Sequence, residues 1–184
     1  MSEVRVPDVQ RLRMSYDDWW ALPEKPKSEW VDGEVVIVNV PPSIDHSDSS
    51  NGLYGELKRA LPGVRVYTDV PLRLPRNRVR RPDLMVVARR PEREPVDDVP
   101  ILVVEVLSPG THTVDILEKA PEYAEAGIGQ FWIVDPEAHS LDIYQLHDSQ
   151  WERLLRLDDH APRGIVDVPG HGVVELDLPT ILAG

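Results

Sequence analysis

Ile101-Leu102-Val103-Val104-Glu105-Val106-Leu107 is the stretch that decides the fold. A nearly unbroken apolar run of this length reads as a β-strand covered on both faces, so layers must lie on either side of its sheet. The one glutamate inside it points to chemistry. A carboxylate kept charged in such a strand without a partner costs on the order of several kcal/mol. Glu105 is therefore expected either to point into a polar site or to meet a cation.

Downstream, Ser108-Pro109-Gly110 closes the strand. Val114 to Ala126 then reads as a helix that ends at Gly127, with Pro121 expected to delay its start or bend it. Phe131 to Asp135 is a second buried strand, and Leu141 to Leu146 alternates as its antiparallel partner. Trp151 to Leu157 and Val173 to Leu178 supply two later strands, and the histidine-, proline- and glycine-containing stretch between them reads as loop.

Upstream, Arg90 to Pro100 is charged and carries three prolines, which marks a surface loop. Strands are expected over Val64–Leu74 and Pro82–Ala88, with Arg76-Asn77-Arg78 as the turn between them. Leu53, Leu57 and Leu61 recur at helical spacing in His46–Leu61, and Pro62-Gly63 ends that helix. Asp32-Gly33 reverses a hairpin running from Trp30 to Val38. Ser15 caps a short helix carrying Trp19 and Trp20, and Pro23 and Pro26 end it. The expected fold class is α/β (α+β): a mixed central sheet with flanking helices and additional antiparallel strands. It forms a single domain over residues 14–184 behind a flexible arm at 1–13.

Composition narrows the function. The 184 residues include no cysteine, which excludes disulfides, thiolate metal sites and a cysteine nucleophile. No segment approaches the roughly 20 apolar residues of a membrane span, and no secretory signal opens the chain, so it reads as cytoplasmic. A formal charge of -12 disfavours a protein that coats nucleic acid with its whole surface. Arginines nevertheless gather at Arg73, Arg76, Arg78, Arg80, Arg81, Arg89, Arg90 and Arg93. They form either a solvated, charge-balanced hairpin or a phosphate-facing patch.

Asp83 near a strand start, Glu105 in the next long strand, and Asp115, Lys119 and Tyr123 on one face of the following helix form a constellation. Adjacent strands would bring Asp83 and Glu105 close enough to share a divalent cation, with the Val106 backbone carbonyl as a further ligand. Hard oxygen ligands suit Mg2+, or Mn2+ as a substitute. Such an ion would activate water for attack on phosphorus while Lys119 stabilises the developing charge. The plainer alternative is a surface salt bridge with a core-edge tyrosine and two loop or bulge carboxylates.

Trp30-Val31-Asp32-Gly33-Glu34, His46, Arg81-Pro82-Asp83-Leu84, Val103 to Pro109, Asp115-x-x-x-Lys119-x-x-x-Tyr123 and Phe131 to Pro136, taken in order, resemble the Uma2 family, also known as DUF820. The resemblance runs from about Trp19 to Leu146. That family is assigned to the PD-(D/E)XK nuclease-like superfamily and is described as restriction endonucleases. The resemblance implies Asp83 and Glu105 as metal-binding carboxylates. The usual superfamily lysine position, two residues after Glu105, holds Leu107, so the resemblance suggests that Lys119 supplies the charge instead. Glu56 is a supporting acid for a metal-bound water or an ordinary solvated glutamate, and His46 is a substrate contact or a helix-start hydrogen bond. Thr111-His112-Thr113-Val114 replaces a stretch that is more arginine-rich in many relatives, and Gln130 stands where relatives often look acidic.

The expected function is thus an Mg-dependent endonuclease hydrolysing DNA phosphodiester bonds, with Arg78, Arg80 and Arg81 as phosphate-binding candidates. A homodimer would suit two-strand cutting. Two alternatives stand beside it: a catalytically inactive nuclease-fold protein acting by self-association or partner binding, with five tryptophans as anchors, and an RNA or nucleotide phosphodiesterase.

Overall fold

A computed structural model describes residues 9–23, 27–38, 43–108 and 114–184. Strand β1 (Val9–Arg13) leads into helix α1 (Tyr16–Trp20), the hairpin of β2 (Ser28–Val31) and β3 (Glu34–Val38), and helix α2 (Ile44–Ala60). Strands β4 (Arg65–Thr68), β5 (Leu72–Leu74), β6 (Arg78–Arg80), β7 (Leu84–Val87) and β8 (Leu102–Val106) follow. A π-helical segment, Val114–Lys119, runs into α3 (Ala120–Glu125). The chain continues through β9 (Gln130–Asp135), β10 (Ser140–His147), β11 (Gln150–Leu157), β12 (Arg163–Val168), β13 (Gly172–Asp177) and α4 (Leu178–Ala183).

The central sheet has six strands in the order β11-β10-β9-β8-β7-β4. β8 and β9 are parallel, joined through α3, and the other pairs are antiparallel, so the sheet is mixed as expected. A five-stranded antiparallel sheet, β1-β3-β2-β6-β5, and the β12–β13 hairpin complete the architecture.

β8 is covered on both faces, as its apolar run requires. Leu102, Val104 and Val106 share a core with Leu53, Leu57 and Leu61 of α2 and with Leu178 and Ile181 of α4. Val103 faces the other way, into a core with Met85, Tyr123, Ile128 and Phe131. Ser43 starts α2 by accepting the His46 amide hydrogen on its side chain, which fixes where His46 stands. Among the described residues no helix is long and apolar enough to cross a membrane.

The structure revises several element readings. Val64–Leu74 is not one strand: Asp69 takes a left-handed backbone (φ 54°), and the chain leaves the central sheet after β4 to join the smaller sheet as β5. Arg76 and Asn77 do form a turn (φ 55° and 61°), but the strand it starts is β6, and Pro82 lies between β6 and β7 as the chain changes sheets. Pro121 lies in the first turn of α3, directly behind the π-helical segment Val114–Lys119, so the α-helix starts late.

The stretch between Leu157 and Val173, read as loop, contains β12, whose Ile165-Val166-Asp167-Val168 alternates against β13. Asp177 caps the terminal helix α4, whose first residue, Leu178, falls within the strand expected over Val173–Leu178. Val9–Arg13, within the arm read from sequence, pairs with β3.

Candidate active site

The site begins with strand register. Leu84 pairs with Val104 and Met85 with Val103, so extending the ladder by one residue sets Asp83 opposite Glu105. Side-chain alternation turns both toward α3, because Val104 and Val106 face α2. Asp83 is tied across the ladder, its Oδ2 accepting the Val106 amide hydrogen at 2.8 Å.

The crossover after β8 supplies the next two groups. Lys119 and Tyr123 stand one turn apart, and both reach Glu105. The Lys119 ammonium donates to Oε1 at 3.1 Å and Oε2 at 3.0 Å, and the Tyr123 hydroxyl donates to Oε1 at 2.6 Å. Glu105 is 1% exposed and Lys119 5%. A buried ion pair with a further hydrogen bond is how this strand tolerates its carboxylate. Burial first, and then the charge of Glu105, pushes the Tyr123 phenol well above its ordinary value.

The smaller sheet closes the site from behind. Trp30 pairs with Val79, so one residue further Glu29 lies opposite Arg80. Arg80 is fully buried and donates to Glu29 at 2.9 Å, to both oxygens of Glu122 at 2.7 and 2.8 Å, and to Glu118 at 3.3 Å. Glu29 also accepts the Arg81 amide hydrogen at 2.9 Å and lies 3.3 Å from Lys119. Burial alone would raise the Glu29 carboxyl, but Lys119, Arg80 and that amide bring it down to about 2.

The solvent-facing edge consists of Asp83, His46 and Lys27. Lys27 donates to Asp83 at 3.2 Å and lies 3.0 Å from Asp69, and His46 Nε2 is 3.3 Å from Asp83 Oδ2. Burial disfavours the charge on Asp83, yet Lys27 and His46 outweigh it and hold the carboxyl well below the usual range. Burial likewise opposes the ammonium of Lys27, and Asp83 with Asp69 overcomes it, raising the lysine above its ordinary value.

The sequence candidates therefore divide. Asp83, Glu105, Lys119, Tyr123 and His46 come together. Glu56 does not join them: it pairs with Arg59 and lines a surface depression with Arg163, Glu175 and Thr180. Arg80 is a buried partner of carboxylates, and Arg78 faces Glu122 and Glu125. Asp115 lies in the π-helical segment with its side chain outside the described residues, as are Thr111, His112 and Thr113. Gln130 is buried and bonds to Gln145, Trp132 and the Asp167 carbonyl, a structural role at the β9 start.

The expected Mg2+ or Mn2+ site is corrected by the donor geometry. Among the described residues no three His, Asp or Glu side chains converge to hold a metal ion. A hard cation takes six or more oxygen ligands or retained waters and needs carboxylate oxygens directed at it. Here Asp83 and Glu105 direct theirs at Lys27 and Lys119, and Val106 enters the site through its N–H. The donor set does not fit a divalent ion.

Sequence reading passed over Glu29, Lys27, Asp69 and Glu122. Glu29 carried a signal of the kind that exposed Glu105, an acid one residue before the apolar start of a hairpin strand. Lys27 and Asp69 carried none, since each is an ordinary polar residue beside a turn until the two sheets meet.

Comparison with known proteins bears on the family and the fold. The Uma2 family model, described as "Putative restriction endonuclease", matches residues 13–167. A crystal structure of "a putative nuclease belonging to DUF820" from Anabaena variabilis superposes with a TM-score of 0.71 at 20% identity, covering 92% of this chain and 97% of that one. At that identity the likeness speaks for the fold. No curated protein matches the chain. A family match over most of the sequence and a mixed α/β fold of restriction-endonuclease type lead to one assignment: the chain belongs to the Uma2 (DUF820) family of PD-(D/E)XK-like nuclease-fold proteins.

Proposed function

We propose that this chain hydrolyses phosphodiester bonds in DNA at the Asp83–Glu105–Lys119 cluster. The observation that carries the reading is the opposition of Asp83 and Glu105 across β7 and β8, with the Lys119 ammonium held on Glu105. Tyr123 holds Glu105, which in turn orients Lys119, whose charge stabilises the anionic phosphate oxygens as water attacks. Asp83 holds the ring of His46 at the solvent-facing edge, where an imidazole is suited to take the proton of that water, while the opposite P–O bond to the sugar breaks and the departing oxygen is protonated from solvent.

The test is cleavage of supercoiled plasmid, linear duplex, RNA and dinucleotides by the purified protein, across buffers that differ in salt and cation. Cleavage of DNA that disappears in Lys119→Met and His46→Ala, with folding retained, supports the reading. Cleavage confined to RNA or dinucleotides moves it to an RNA or nucleotide phosphodiesterase.

A second reading has its own observation. Asp83, Glu105 and Glu29 are each already engaged by a cation, which suits a catalytically inactive scaffold that binds a partner or itself. No cleavage of any substrate, with a partner complex that survives Glu105→Gln, favours it.

A further inference from the structure

Six of the eight arginines between residues 73 and 93 are taken up by carboxylates. Arg73 and Arg93 pair with Asp97, Arg76 with Glu125, Arg78 with Glu122 and Glu125, Arg80 with Glu29, Glu118 and Glu122, and Arg89 with Asp98. The basic run that suggested a phosphate-facing patch is therefore largely neutralised within the protein.

Arg81 is the exception beside the site. Its backbone belongs to the cluster, because its amide hydrogen goes to Glu29, which holds Lys119, and because it stands two residues before Asp83. Its guanidinium has no carboxylate partner among the described residues, and its Nε is buried without a hydrogen-bond acceptor. A guanidinium N–H removed from water without an acceptor is costly, so this fork is prepared for a group that arrives from outside.

The surrounding charge narrows what that group is. Lys27, Lys119 and Arg80 already face Asp69, Asp83, Glu29, Glu105, Glu118 and Glu122. A nucleic-acid strand entering so acidic a cluster needs a cation not yet spoken for, and planar guanidinium matches two phosphate oxygens at once. We propose that Arg81 is the residue that grips the DNA phosphate at this site, an inference that rests on the nuclease reading above.

The experiment measures binding of a short fluorescein-labelled DNA duplex by anisotropy over a salt series, with the same samples run on a denaturing gel to score cleavage. Wild-type, Arg81→Ala, Arg81→Lys and Arg90→Ala proteins are compared. Arg90 is exposed and has no ion pair among the described residues, which makes it a control for general charge. Arg81→Ala is expected to weaken binding about tenfold and to lower the slope of log K against log salt by about 1, as for loss of one phosphate contact. Arg81→Lys should keep the salt slope and lose part of the affinity, a rescue that a folding defect would not give.

Unchanged binding in Arg81→Ala, or an equal loss in Arg90→Ala, overturns the assignment of Arg81. If the wild type still cleaves in that case, the nuclease reading stands without it. A wild type that neither binds nor cleaves DNA overturns both.

Discussion

The Lys119 ammonium sits astride the Glu105 carboxylate, 3.1 Å from one oxygen and 3.0 Å from the other. Both side chains are buried, so the pair should behave unlike a surface salt bridge. Glu105→Gln is expected to cost about 3 kcal/mol, since it takes the carboxylate charge away from a buried ammonium. Adding Lys119→Met should recover part of that loss. Denaturant unfolding of the two single variants and the double variant closes the cycle, and a cost near zero for Glu105→Gln would mean the pair is solvated in solution.

Arg80 grips Glu122 with a two-pronged contact while a third nitrogen reaches Glu29. Lysine keeps the charge but has a single nitrogen and cannot span both acids. Arg80→Lys should therefore destabilise the protein by about 2 kcal/mol, in the range for a buried charge left partly unmatched. Equal denaturation midpoints for Arg80→Lys and wild type would show that the fork contributes nothing beyond its charge.

Glu29 and Asp83 both have folded carboxyl groups below their ordinary values, so the folded state binds their protons less readily than the unfolded chain. The stability they contribute is present above the unfolded value, 4.5 for Glu29, and disappears as pH falls toward about 2. Glu29→Gln should flatten this acid slope while lowering stability at neutral pH. Unfolding midpoints measured through that window test it, and a slope as steep in the variant as in wild type would refute it.

Gly52 in α2 has no room for a side chain, because a Cβ there would meet the Ile181 backbone of α4. Gly52→Ala should force the two helices apart at a cost of about 2 kcal/mol, despite alanine's better helix propensity. A variant as stable as wild type, by thermal unfolding, would mean that α4 docks more loosely in solution.

The local chemistry of the chain was sufficient for much of the fold. The apolar run 101–107 dictated a strand buried on both faces, leucine spacing dictated α2, and Glu105 in its apolar setting announced a partner before any was visible. Each of these follows from neighbours within a few residues, which is the range over which periodicity and burial cost operate. Asp83, Lys119 and Tyr123 stand beside Glu105 in one sequence constellation, while His46 comes from the resemblance to Uma2; register and helix pitch bring all four onto Glu105 or onto each other.

What only the tertiary structure decided was which charge answers which. Pro82 marks the point where the chain passes from one sheet to the other, and that crossing places Glu29 and Arg80 behind Lys119 although Arg80 and Glu122 are 42 residues apart. The same crossing brings Lys27 to Asp83, so that lysines rather than a shared divalent ion meet the two carboxylates. Coulomb attraction depends on distance in space and on burial, and neither is encoded in residue spacing once two sheets fold against each other.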